Sequence, residues 1–355
     1  MQKRLPRQLA LSASLLSLAF GSPAFAHVKW FLSASEEELL RQPKPDIFTR
    51  LSLSNEIPFL LAVIALALST RLGLQWRGCK LDTVLSRLSE RRDSELNLFI
   101  GMMTGLSFVY CGFAKFLCAP DFIICSHCPQ WLPYAEYAIG ISLLFGLFAR
   151  VGGVALIGLL IFTFIKHTVA DCLDLLPLYG VGFYFLFVGR GKYSIDALLK
   201  IDGEAGATAS SLGYLCLRLA MGLGLIVLGA DEKLVNPQLA LDVLKSRPEL
   251  DFVRAQNISA PLFVLCAGLS EVLVGLVIVI GSFPRLASIF VLIIFAATTL
   301  VFGTSELFGH LAYYGILANI LLRGHGTVPQ KAEIRELFVS SLKLPSRLFP
   351  QLTMR

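Results

Sequence analysis

Residues 131–150 read WLPYAEYAIGISLLFGLFAR, and residues 266–285 read CAGLSEVLVGLVIVIGSFPR. Laid over one another at an offset of 135, Glu136 falls on Glu271, Gly140 on Gly275, Gly146 on Gly281 and Arg150 on Arg285. Apolar coincidences are cheap in a hydrophobic chain; coincident glutamate, arginine and glycine are not, because composition makes them rarer. The match continues without a gap, with Tyr179-Gly180 on Tyr314-Gly315, Gly189 on Gly324 and Gly191 on Gly326. Upstream the offset becomes 118: Gly112 meets Ala230 and Lys115 meets Lys233, so about 17 residues are inserted near 234–257. Self-similarity at a fixed spacing is the signature of a repeated structural unit. The reading is a duplicated unit, at 96–200 and 211–326.

Of the 355 residues, 55% are hydrophobic and 16% charged, with a mean hydropathy of +0.70. Soluble domains carry about 25% charged residues. A soluble globular enzyme, a nucleic-acid binder and a disordered scaffold are therefore excluded; membrane lipid is the expected surrounding partner. Nine apolar runs of spanning length occur, near 57–72, 96–117, 131–149, 151–169, 173–189, 211–230, 260–282, 285–302 and 307–322. A helical crossing needs about 20 residues, and lipid offers no partner to an unpaired backbone group, so helices are the default. The expected fold is an all-α polytopic membrane protein of nine transmembrane helices: two parallel four-helix units plus one extra N-terminal span. An even number of helices per unit makes both enter the membrane in the same direction, related by a pseudo-twofold axis along its normal.

Lys3, Arg4 and Arg7, the short apolar run 9–20 and Ala24-Phe25-Ala26 read as a secretory signal peptide over 1–26. The mature chain then begins at His27 outside the cytoplasm, and 27–95 holds a periplasmic segment, the first span and a basic loop. That loop carries Arg71, Arg77, Lys80, Arg87, Arg91 and Arg92, and later loops on the same side carry Arg150, Arg190, Lys192, Lys200 and Arg285. Lys and Arg mark cytoplasmic loops. The orientation is N-out and C-in across a bacterial inner membrane, with a basic cytoplasmic tail over 327–355. The net charge of +6 follows this topology. The loop 231–259 is the exception, because it is read as outside yet carries Lys233, Lys245, Arg247 and Arg254.

Glu136 and Glu271 each precede the inner-end arginine of their hairpin by 14 residues, about 21 Å of helix at ~1.5 Å per residue. In a core ~30 Å thick each carboxyl lies about two-thirds of the way to the outer face. Lys115 and Lys233 end the preceding helix near that face, so Lys115–Glu136 and Lys233–Glu271 pairs are expected. Intramembrane ionisable residues are costly unless paired and are functional candidates by default; a purely structural ion pair is the competing reading. The glycines at 101, 105, 140 and 146 allow close helix contact. Asp171, Asp174, Glu306 and His310 are read as solvated groups of the outer loops.

Cys118, Cys125, Cys128 and Cys172 gather at the outer side of the first unit; the second has no counterpart. Cys125-Ser126-His127-Cys128 is a C-x-x-C, a pair that can close a small disulfide and exchange it with a partner. A structural disulfide set in an oxidising compartment stays open, as does a metal site. No metal is assigned: His27, His127 and Cys172 are weak candidate ligands for zinc or copper.

Each unit resembles the DoxX/DoxD-like superfamily of four-helix membrane proteins. The resemblance covers about 96–326. It rests on the glycine-rich first helix ending in Lys115 or Lys233, then Glu136 or Glu271, the G-x-x-x-R hairpins Gly146–Arg150 and Gly281–Arg285, and the late Tyr-Gly. Gly189-Arg190-Gly191 with Ser194-Ile195-Asp196 also looks like that family's close. The resemblance implies membrane redox work, since family members include a subunit of a thiosulfate:quinone oxidoreductase and components tied to periplasmic disulfide chemistry. It supplies no catalytic residue set. The expectation is a quinone-linked thiol or sulfur oxidoreductase with a periplasmic redox partner. Its site is Cys125 and Cys128 as redox pair, with Glu136 and Lys115 beside a quinone, and Glu271 and Lys233 as binding residues. A small-solute or metal transporter and a non-enzymatic anchor or assembly partner are the rival readings.

Overall fold

The computed structural model describes residues 56–76, 92–124, 129–201 except 166 and 168, 205–246 and 259–334, with 84, 87 and 337 singly. The expected signal peptide, His27 and the segment Cys125-Ser126-His127-Cys128 lie outside the described residues.

Helix α1 (Glu56–Trp76) comes first, followed by α2 (Asp93–Ala114). An antiparallel ribbon of β1 (Phe116–Leu117) and β2 (Ala119–Ile123) follows, with Phe116 opposite Ile123 and Leu117 opposite Ala119. Next are α3 (Leu132–Phe145), α4 (Ala149–Thr163), the short α5 (Val169–Asp174), α6 (Leu176–Val188) and the single turn α7 (Ile195–Leu198). Helix α8 (Ala207–Gly229) runs on as a π-helical stretch, Ala230–Val235, before α9 (Pro237–Ser246). The chain closes with α10 (Ala260–Ile280), α11 (Pro284–Phe302) and α12 (Thr304–Arg323). The protein is thus a helical membrane protein, to which the structure adds one small ribbon that the sequence reading lacked.

Asp93–Ala114, Ala207–Val235 and Ala260–Ile280 are long and apolar enough to cross a membrane. Leu132–Phe145, Ala149–Thr163, Leu176–Val188, Pro284–Leu300 and Ile64–Gly73 are apolar but only 10–17 residues long. Leu132–Phe145 and Ala149–Thr163 are shorter than the sequence runs because the chain turns on apolar residues. The run 131–149 stops at Gly146, whose φ of 66° is left-handed, and Phe148 is left-handed too at 52°. Hydropathy reads straight through such corners.

Helix α2 packs between α3 and α12, and α8 packs between α10 and α6. Helix α4 lies on α6, α11 on α12, and α1 on α10. Lipid is as apolar as leucine, so close backbone approach drives such contacts. A Cβ added at Gly105 would sit 2.7 Å from the Gly140 carbonyl oxygen, and one at Gly222 would sit 2.7 Å from that of Gly275.

The corner arginines do the same work twice. Arg150 Nη1 donates to the carbonyls of Leu186 (3.2 Å) and Phe187 (3.0 Å). Arg285 donates from Nε to Leu321 and from Nη2 to Leu322, both at 3.1 Å. Each satisfies last-turn carbonyls that a helix cannot satisfy internally. Asp196 caps the start of α4, accepting the Phe148 N–H at 2.7 Å and the Ala149 N–H at 2.9 Å.

One register needs correction. Gly112 packs beside Glu136 and Gly229 beside Glu271, so the first helices of the two halves match at an offset of 117, not 118. The π-helical stretch then inserts the extra residue that carries Lys233 to 118. Such π-bulges occur as single insertions within α-helices.

Candidate functional site

The first-half site forms where α2 stops. Lys115 takes a left-handed conformation (φ 60°) and donates its N–H back to the Cys111 carbonyl. The chain turns into the ribbon, whose bend has Cys118 at φ 69°. The Cys118 N–H donates to Glu136 Oε1 at 2.8 Å. Glu136 is fully buried, and its Oε2 has no hydrogen-bond partner among the described residues. Lys115 is exposed. The expected Lys115–Glu136 pair is therefore replaced by a backbone N–H, because α2 ends one residue before the lysine and turns it outward.

Cys118 and Cys172 are both buried. Cys172 Sγ lies 3.4 Å from Thr163 Oγ1, and burial pushes its thiol above the ordinary range, with Asp171 and Asp174 adding to the shift. Among the described residues no disulfide joins Cys111, Cys118, Cys172, Cys216 or Cys266. Among the described residues no group of three or more His, Cys, Asp or Glu gathers as a metal site. Of the weak metal candidates, Cys172 is accounted for by Thr163; His27 and His127 lie outside the described residues, as do Cys125 and Cys128.

The second half is built differently. The π-helical stretch carries Lys233 inward, where Nζ meets Glu271 Oε2 at 3.0 Å and Glu232 Oε2 at 3.9 Å. All three side chains are fully buried. The expected Lys233–Glu271 pair forms, and Glu232 joins it unforeseen. Helix α9 packs on α10 and the π-helical stretch, burying Leu239, Leu241 and Leu244. It comes from the inserted loop and closes over the pair.

Three groups read as solvated are buried: Asp174, Glu306 and His310. His310 Nδ1 lies 3.1 Å from Glu306 Oε2, and Phe295 stacks on the imidazole at a centroid distance of 4.2 Å. The i, i+4 spacing of Glu306 and His310 was the signal for this pair, since such residues share one helix face.

At the opposite end of the bundle Arg190 is buried and donates to the carbonyls of Leu143 (2.8 Å), Leu144 (2.9 Å) and Asn97 (2.9 Å). Arg323 donates to Ser210 Oγ (3.1 Å) and Tyr184 Oη (3.0 Å), and reaches Asp93 Oδ1 at 3.4 Å. Tyr184 donates in turn to Asn97 Oδ1. Neither arginine behaves as a simple loop anchor.

The DoxX family model matches residues 213–304, from α8 to the first residue of α12. No curated protein and no solved structure matches the chain.

Proposed function

We propose that this DoxX-like membrane protein links extracytoplasmic thiol or sulfur chemistry to a quinone, with Cys125 and Cys128 as the exchanging pair. The observation that carries the reading is Glu136: a buried carboxyl whose one oxygen is fixed by the Cys118 N–H, on the ribbon leading directly to the C-x-x-C. A quinone, when bound, accepts two electrons and two protons. Glu136 fits that group, because its Oε2 has no hydrogen-bond partner among the described residues and accepts a hydroxyl there. The residue's own task is to hold a proton within the bundle, where charge transfer without proton transfer is costly.

The setting is part of the proposal. The shorter apolar helices and α12 cross with the long ones, giving nine spans; the two units are a tandem duplication; and the bacterial inner membrane is entered N-out and C-in after signal-peptide removal. Support comes from the Lys and Arg distribution, and from Arg150 and Arg285, whose acceptor carbonyls are themselves 135 residues apart. A transporter reading has one observation in its favour, the buried Glu232–Lys233–Glu271 cluster, since ionisable residues buried among membrane helices mark substrate and ion pathways.

The test uses the full chain in sealed vesicles with a short-chain ubiquinone and dithiothreitol. Quinol should form with the wild type and be lost in a Cys125→Ala, Cys128→Ala double variant, while Glu136→Gln slows it at least tenfold. Unchanged thiol state and quinone reduction in the double variant would overturn the redox reading. Solute uptake lost in a Glu136→Gln, Glu271→Gln double variant would replace it with transport.

A further inference from the structure

The turn α7 that follows α6 exposes apolar side chains on a backbone fixed by hydrogen bonds. Asp196 ties it to the corner between α3 and α4: its N–H donates to the Gly146 carbonyl at 3.0 Å, and its carboxylate accepts from Phe148 and Ala149. The turn then closes on two paired bonds, Ile201 N–H to the Asp196 carbonyl at 2.8 Å and Lys200 N–H to the Ala197 carbonyl at 3.2 Å. This closure puts Lys200 in the left-handed region, with φ 56°, at a position that helices usually give to glycine. The residue after it normally packs back onto an apolar side chain of the last turn. Here that partner is Asp196, which is buried and turned toward the start of α4. Ile201 is left 51% exposed, with Leu198 at 79% and Leu199 at 57%.

What covers these side chains follows from their neighbours. Phe148, whose N–H Asp196 accepts, is exposed, as are Phe145 at the end of α3 and Val151 in α4. In a helical membrane protein such a surface faces acyl chains, and α7 continues it past the helix ends. Two cations border the stretch. Lys192 and Lys200 are exposed and make no ion pair among the described residues, and the Lys192 ammonium lies 5.4 Å from the centroid of the exposed Tyr193 ring. An apolar strip edged by lysine and tyrosine matches the boundary between acyl chains and headgroups. The second half differs at the same place. At the offset of 135, residues 330–333 expose Gln330, Lys331, Ala332 and Glu333, and Glu333, standing where Leu198 stands, accepts the Gln330 N–H at 2.8 Å.

A lysine kept in a left-handed backbone carries a conformational cost, and such costs gather where function needs the side chain. We infer that the close formed by residues 192–201 binds a phospholipid, its acyl chains running over Phe148, Leu198 and Leu199 and its phosphate held at Lys200. The site rests on the membrane setting and not on the thiol–quinone reading.

The experiment titrates the purified full-length protein in detergent with a phosphatidylglycerol labelled on one acyl chain, beside a diacylglycerol carrying the same label, and reads the fluorescence. The phospholipid should bind at least ~fivefold tighter than the diacylglycerol, roughly what one lysine contributes at an anionic lipid surface. Lys200→Gly should remove that ~fivefold advantage, yet unfold no lower than the wild type in lipid-free detergent, because glycine suits the left-handed backbone. Leu198→Ser should weaken both lipids, and Lys331→Gln at the second close should change neither. Inorganic phosphate should not displace the bound lipid, since it lacks the acyl chains. Equal binding of the two lipids, Lys200→Gly binding like the wild type, displacement by phosphate, or an equal loss in Lys331→Gln would each overturn the assignment. A lowered unfolding temperature of Lys200→Gly would overturn it too, by giving the lysine a purely structural role.

Discussion

Lys233 and Glu271 are each fully buried and 3.0 Å apart, and removing one partner of such a pair leaves an uncompensated buried charge. Lys233→Met should lower stability by about 3–5 kcal/mol in denaturant unfolding in detergent, and Lys233→Met with Glu271→Leu should recover most of it. In the first half Glu136 is held by a backbone N–H. Glu136→Leu leaves that N–H buried without an acceptor, at a cost of about 1–3 kcal/mol, so it should melt below Glu136→Gln, which keeps the acceptor. Burial raises the Cys172 thiol, so its thiolate forms only at more alkaline pH than that of an open cysteine. Alkylation of Cys172 by iodoacetamide should stay slow at neutral pH and climb as the solution becomes alkaline, followed by mass spectrometry of the labelled peptide. At this scale the sequence revealed identities better than partners. Glu136, Glu271 and Lys233 stood out because charge is rare in apolar runs. The outward turn of Lys115 was hidden, since nothing in its neighbourhood signals a left-handed cap at a lysine. Glu306 and His310 were hidden for the opposite reason, because polar residues at the end of a run read as loop.

Among the elements, glycine contacts set how closely the helices approach. Gly222→Val would drive side-chain atoms into the Gly275 backbone, where even a Cβ comes within 2.7 Å of the carbonyl oxygen. Overpacking of this kind typically costs about 1–3 kcal/mol, and thermal unfolding in detergent should show it, while Gly158→Ala, with open space around its Cβ, should be near neutral. The apolar runs located helices α2, α8 and α10 well, since period and composition govern burial in lipid. They misjudged lengths, because Gly146, Leu147 and Phe148 form a corner as hydrophobic as the helices it joins. They also missed the ribbon Phe116–Ile123, whose residues are too few to carry a period.

Over the whole molecule each half contributes a first helix that is clasped by the last helix of the other: α2 by α12, and α8 by α6. Neither half is complete alone. Fragments divided in the link 202–204 and produced together should co-purify, whereas either fragment alone should aggregate or be degraded, as size-exclusion chromatography in detergent would show. Residues 213–304, which match a known family, cover only the second half, and the cysteine-bearing ribbon belongs wholly to the first. The matched landmarks Arg150 and Arg285 each reach last-turn carbonyls, but the ends of the bundle depend on single-residue differences that an alignment by identity passes over.

The π-helical stretch Ala230–Val235 shows how much depends on one residue. An α-helix advances about 100° per residue, so excising Ala230 would rotate Lys233 by that angle and swing its ammonium from the protein interior toward the acyl chains. In the second half one residue thus decides whether this amine is internal, and a lineage could gain or lose the buried cation by a single codon.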